Sequence, residues 1–90
     1  MQTSKEEIRQ KLKTLLVENL SLEDITADEI ADDEVLFGDG LGLDSLDAVE
    51  VVVILQRNWG VEVKDMTQGK KILYSIETVT DYIHEQVNKS

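Results

Sequence analysis

Residues 44–59 form an unbroken stretch of sixteen residues, Asp-Ser-Leu-Asp-Ala-Val-Glu-Val-Val-Val-Ile-Leu-Gln-Arg-Asn-Trp, with neither glycine nor proline inside it. Whatever fold the chain adopts must be built around this stretch. Its centre, Val51-Val52-Val53-Ile54, is β-branched and suits a buried strand. Length decides for a helix, because strands typically run about 5–6 residues. The ends agree. Asp44 is a good N-cap, since its side-chain oxygen can accept from free N–H groups of the first turn. Gly60 suits the backbone that stops a helix.

At about 100° per residue the helix divides into two faces. Ala48, Val51, Val52, Leu55 and Trp59 cluster on one, which is read as core. Leu46, Glu50, Val53 and Arg57 fall in a stripe on the opposite side, flanked by Asp47. A stripe that mixes apolar groups with charges reads as a docking surface for another protein. The competing reading is a helix covered on both sides within its own domain.

Two further segments have helical periodicity. Ile8, Leu12, Leu15, Leu16 and Leu20 make an amphipathic stripe, and Ser4 with Glu7 fits a capping box. This helix is expected to run from about residue 4 to residue 19 or 20. Near the other end, Ser75 can cap a helix in which Ile76, Val79, Ile83 and Val87 share a face, with Tyr82 beside them. Residues 21–43 read as a long connection rich in Asp, Glu and Gly. A loop of that length needs pinning. Ile25, Ile30, Leu36 and Phe37 are the candidates, with Leu36 and Phe37 plugging one end of the helical core. In residues 61–73, Val61 and Val63 suggest a short extended piece, followed by a short helix over 66–73 interrupted by Gly69. The expected fold is an all-α four-helix bundle in a single domain over residues 1–90, with three major helices, a short third helix and a long first loop.

The charge map narrows the function. The chain has 90 residues and a net charge of −10. None of its nine basic residues lies between residues 14 and 56, whereas twelve of its nineteen acids do. Nucleic acid is excluded as a direct partner, because that binding requires cations to displace counterions from phosphates. A basic protein surface is the natural complement. There is no cysteine, hence no thiolate site, and no apolar run long enough to span a bilayer. The first residues lack the layout of a signal peptide. A cytoplasmic monomer without stable membrane insertion is expected.

Ser45 opens the central helix, where backbone N–H groups and the helix dipole favour a phosphate. The acids around it require positive charge from elsewhere. Catalysis is poorly supported. His84, the only histidine, is far away in sequence, and Leu43 stands where a Gly-x-Ser-x-Gly elbow needs its first glycine. Leu41 and Leu43 occupy positions where a calcium loop needs oxygens. No Gly-Lys-Ser/Thr follows Gly38, Gly40 and Gly42 to make a phosphate-cradling loop. Ser45 therefore reads as a residue modified by a partner, with no metal and no catalytic residue assigned.

Gly42-Leu43-Asp44-Ser45-Leu46-Asp47, opening an acidic and apolar second helix, resembles the acyl carrier proteins of fatty-acid and polyketide synthesis. The resemblance covers nearly the whole chain and includes Leu36-Phe37-Gly38-Asp39 and Asp81-Tyr82-Ile83. It implies an acyl-carrier-like fold and a 4′-phosphopantetheine arm on Ser45, added by a phosphopantetheinyl transferase. The arm's thiol would hold acyl groups as thioesters, in a chain that is a carrier and not an enzyme. It also implies partners with basic docking surfaces that load, condense and modify the cargo. Asp44 would cap the helix and pair with a partner's basic group. Leu46 and Val53 would anchor the docking, and Asp47 and Glu50 would supply charge. Docking would be weak and transient. Gln56 and Arg57 depart from the acidic C-terminal end usual in that family, and Lys64, Lys70 and Lys71 add positive charge beyond it. The departure points to a specialised lipid or polyketide-like pathway with its own enzymes. An aminoacyl or peptidyl carrier, and an unmodified acidic helical adaptor for a basic partner, are the alternatives.

Overall fold

The computed structural model describes residues 4–20, 25–37 and 40–88. These hold four α-helices: α1 (Lys5–Asn19), α2 (Ser45–Trp59), α3 (Met66–Ile72) and α4 (Ile76–Val87). A 3₁₀ turn, Ala27–Glu29, lies within the long connection between α1 and α2. The all-α four-helix arrangement expected from the sequence is the one observed. Gly38 and Asp39, part of the run that carries the resemblance, lie outside the described residues.

Each long helix starts at the side chain that local chemistry selects. The Ser4 hydroxyl accepts from the Glu7 N–H at 3.2 Å. Ser75 and Thr78 close a reciprocal box, Oγ of Ser75 accepting at 3.2 Å and Oγ1 of Thr78 accepting from the Ser75 N–H at 2.9 Å. The Thr78 hydroxyl also donates to the Ile72 carbonyl at 2.8 Å, tying the start of α4 to the end of α3. Such caps satisfy donors that the helix itself leaves free. Helix α2 stops at Gly60, whose φ of 67° is left-handed and strained for any side chain bearing a Cβ.

The core lies chiefly between α1 and α4, with α2 packed against both. Ile8, Leu12 and Leu16 of α1 meet Ile76, Val79 and Ile83 of α4, all completely buried. Val51 and Leu55 of α2 join them. Each buried aliphatic side chain contributes about 1.5–3 kcal/mol relative to exposure. The expected core face of α2 is confirmed for these two, while Ala48, Val52 and Trp59 are only half-buried. Ile54, on the flank of the face, is buried as well.

The long connection is pinned as its apolar residues suggest. Ile30 and Leu36 are buried, and Ile25 and Phe37 are half-buried against the core. Backbone bonds reinforce them: the Leu36 N–H donates to Tyr74 O at 3.0 Å, and the Ile76 N–H to Glu34 O at 2.9 Å. An ion pair adds a third tie. Lys13 of α1 is almost completely buried and donates to Asp32 Oδ1 at 2.6 Å.

One local expectation is corrected. Gly69 does not interrupt α3. Its N–H donates to Asp65 O at 2.7 Å, and its carbonyl accepts from the Leu73 N–H at 2.8 Å, so the helix runs through it. Gly69 is there for closeness: a Cβ would sit 3.2 Å from Val63 Cγ1. The preceding residues 60–65 carry no helix or strand, although Val61 is buried.

Candidate functional site

The approach to Ser45 is set by a tight fold of the preceding loop. The Leu41 N–H donates to Val35 O at 2.9 Å, and the Leu43 N–H to Leu36 O at 3.1 Å. Gly40 makes this possible, since a Cβ there would lie 1.7 Å from the Val35 carbonyl oxygen. Leu43 is buried and holds the end of the loop down. Asp44 then emerges in extended conformation at the cap position of α2.

Asp44 and Asp47 form a capping box around Ser45. Oδ1 of Asp44 accepts from the Leu46 N–H at 3.0 Å and from the Asp47 N–H at 3.1 Å. Oδ2 of Asp47 accepts from the Asp44 N–H at 3.1 Å. Carboxylates are favoured at a helix N-terminus by the dipole as well as by these bonds. Ser45 is the first residue of the helix and is exposed. Its hydroxyl has no hydrogen-bond partner among the described residues. His84 lies in the last turn of α4 and does not line the cleft beside Ser45.

That cleft has a volume of about 460 Å³ and runs between α2, α3 and the loop, with Asp44 and Ser45 on its rim. Ala48, Val49 and Val52 form the α2 wall, Phe37 and Leu43 the loop wall, and Val63 and Leu73 part of the far side. Phe37 thus faces a cleft, whereas its neighbour Leu36 is the core plug expected of the pair. Gly69 lines the cleft, and Lys70 is its cation among the described residues. A space of this size and lining suits a flexible apolar chain.

The outer stripe of α2 divides into a patch and an outlier. Leu46 is 77% exposed, and Val49, which was not among the expected anchors, is 58% exposed. Glu50 is exposed, whereas Val53 and Asp47 are half-buried. Val49 lies next to Val53 on a helical wheel, and that adjacency was the available signal for it. Arg57 is exposed but stands twelve positions beyond Ser45, about 18 Å along the axis. Among the described residues no cluster of His, Cys, Asp or Glu could hold a metal ion, and no helix is long and apolar enough to cross a membrane.

Comparison with known proteins agrees with this geometry. Residues 10–83 match the family model described as the phosphopantetheine attachment site. The chain is 32% identical over 81 residues to the acyl carrier protein of Thermosynechococcus vestitus, covering 90% of this chain and 93% of that one. It is 37% identical over 84 residues to the acyl carrier protein of Campylobacter hominis, covering 93% and 98% respectively. A short helical chain with a serine at a capped helix start, matched across most of its length in this way, belongs to the acyl carrier protein family, whose members bear phosphopantetheine and are carriers rather than enzymes.

Proposed function

We propose that Ser45 is the residue of this chain that receives the 4′-phosphopantetheine arm, and that the protein carries acyl intermediates of a specialised lipid or polyketide-like synthesis. The observation that carries the reading is the exposed Ser45 hydroxyl, unpartnered among the described residues, on the rim of an apolar cleft. These residues fit the arm. The hydroxyl is open to a transferase, and the cleft can receive an apolar chain. A phosphopantetheinyl transferase would form the bond from Ser45 Oγ to phosphorus and break the pyrophosphate bond of coenzyme A. The nucleotide leaves and the hydroxyl proton is released. The arm's thiol supplies thioester chemistry that a chain without cysteine lacks.

The chain's own residues hold, shelter and present. Asp44 keeps α2 capped so that Ser45 stays at the helix start. Ala48, Val49 and Val52 offer the apolar wall against which a cargo can rest. Leu46, Val49 and Val53 give partners apolar anchors, and Glu50 with Asp47 adds negative charge that steers basic surfaces on loading, condensing and modifying enzymes. Arg57 lies outside this patch. It discriminates among partners by opposing those with a basic surface opposite the far end of α2.

Incubation with coenzyme A and a phosphopantetheinyl transferase, read by intact mass, tests the reading. One arm on the wild type and none on Ser45→Ala is expected. Equal modification of the variant removes Ser45 from the role. No modification of the wild type favours an unmodified acidic adaptor, and loading only by an amino-acid-activating enzyme favours an aminoacyl carrier. For the partner set, Arg57→Glu should speed transfer by general fatty-acid enzymes, and an unchanged rate removes Arg57 from selectivity.

A further inference from the structure

Once the side chains are accounted for, the start of α2 by itself offers a phosphate fewer free donors than a bare helix N-terminus would. The Leu46 and Asp47 N–H groups, which a phosphate would otherwise use, already donate to the Asp44 carboxylate. The Asp47 carboxylate stands one turn on, bound to the Asp44 N–H. A phosphodiester on Ser45 therefore joins two fixed negative charges and finds two of the helix's first donors taken. Like charges this close repel, and beside an apolar wall they are screened less than in open water.

Among the described residues, Lys70 is the basic side chain that lines the cleft with Ser45. It is exposed, in the last turn of α3, and engaged in no ion pair among the described residues. Lys71, its neighbour, is also exposed but does not line the cleft. A lysine brings a compact charge on a flexible stem, which suits an anion that must later be released.

Resting on the assignment of the arm to Ser45, we infer that Lys70 is the countercharge for the phosphodiester of that arm, drawing the arm toward α3 and over the mouth of the cleft. Lys70 is then a positioning residue. The same contact yields to a partner with a basic surface, because the partner's cations compete with Lys70 for the phosphate while they engage Glu50.

The test compares apo and modified forms of the wild type, Lys70→Gln, Lys70→Arg and Lys71→Gln, with one arm per chain verified by intact mass. Two properties are read at low and high salt: the phosphorus NMR resonance of the phosphodiester, and the change in melting temperature on modification. At low salt, Lys70→Gln should displace the resonance and lower the modified-minus-apo difference by about 2 °C. Lys70→Arg and Lys71→Gln should follow the wild type, and high salt should erase the contrast. Identical behaviour of Lys70→Gln and Lys71→Gln overturns the inference. Absence of any arm on the wild type overturns the Ser45 assignment itself, a separate result visible in the mass alone.

Discussion

Asp44 and Asp47 cap each other across Ser45: the Asp44 carboxylate accepts from the Asp47 N–H, and the Asp47 carboxylate accepts from the Asp44 N–H, both at 3.1 Å. Two acids that sequence patterning presents as docking charges are thus first of all structural. Each spends an oxygen on the backbone. Glu50, one turn further on and exposed, has no such duty and leaves its whole carboxylate for a partner.

Stability and docking should separate at this pair. Asp44→Ala should cost about 1 kcal/mol, roughly 4–8 °C in melting temperature, whereas Asp44→Asn keeps an acceptor and should change little. Asp47→Ala should cost about 0.5 kcal/mol, and Asp47→Asn less. Association with a basic partner at low salt should slow in both Asp47 variants. Equal melting temperatures for Asp47→Ala and the wild type would show that the box carries no stability.

Gly40→Ala should be among the more damaging single substitutions. The added carbon meets the Val35 carbonyl oxygen at 1.7 Å, and backbone cannot step aside as a side-chain tip can. A loss of about 2–3 kcal/mol is expected. Modification of Ser45 should slow with it, because the loop end that presents Asp44 moves. Gly60→Ala meets no atom within 4 Å and should cost only the strain of its left-handed backbone, about 1–2 kcal/mol. Urea denaturation of the two variants ranks them, and the reverse order would contradict the close approach.

Lys13 lowers the pKa of Asp32 below its ordinary value of 3.8, chiefly through their hydrogen bond and further by its charge. A folded pKa below the unfolded one means that the pair's contribution is present above the unfolded value. It is lost as pH falls through the lower, folded value. The stability gap between the wild type and Asp32→Asn should therefore be constant from neutral pH to about pH 5 and close below pH 4. A gap that does not narrow as pH falls below about 4 would assign the effect to shape rather than charge.

Thr80 is completely buried on α4, and its hydroxyl has no hydrogen-bond partner among the described residues. An unsatisfied buried hydroxyl costs about 1 kcal/mol or more. Thr80→Val keeps the shape and removes the polar atom, so the melting temperature should rise by roughly 4–8 °C. A drop would indicate that a buried water serves the hydroxyl.

The helix starts at Ser4, Asp44 and Ser75 and the stop at Gly60 were legible because capping is a dialogue between residues two to four apart. Ile30 and Leu36 were legible as pins because an apolar side chain in an acidic loop has few places to go. The role of Gly69 was not. A glycine in a short, largely polar segment reads as a break, and only the nearness of Val63 turns it into a close approach. For Val49, adjacency to Val53 on the helical wheel was a signal, but its degree of exposure depends on where the loop and α3 leave α2 uncovered.

From its residues alone, then, this protein is a small acidic helical chain with a serine at a capped helix start and a family resemblance that the comparisons bear out. Periodicity, capping and charge are local properties, written within a few residues, and need no knowledge of what packs where. The cleft beside Ser45 is of another kind. Phe37, Val52 and Leu73 come from three segments, brought together by the loop bonds of Glu34 and Leu36 to the α3–α4 junction. Contacts between segments so far apart in the chain leave no period or spacing to read, so tertiary packing alone decides that Ser45 opens onto an apolar space and that Lys70 lines it too.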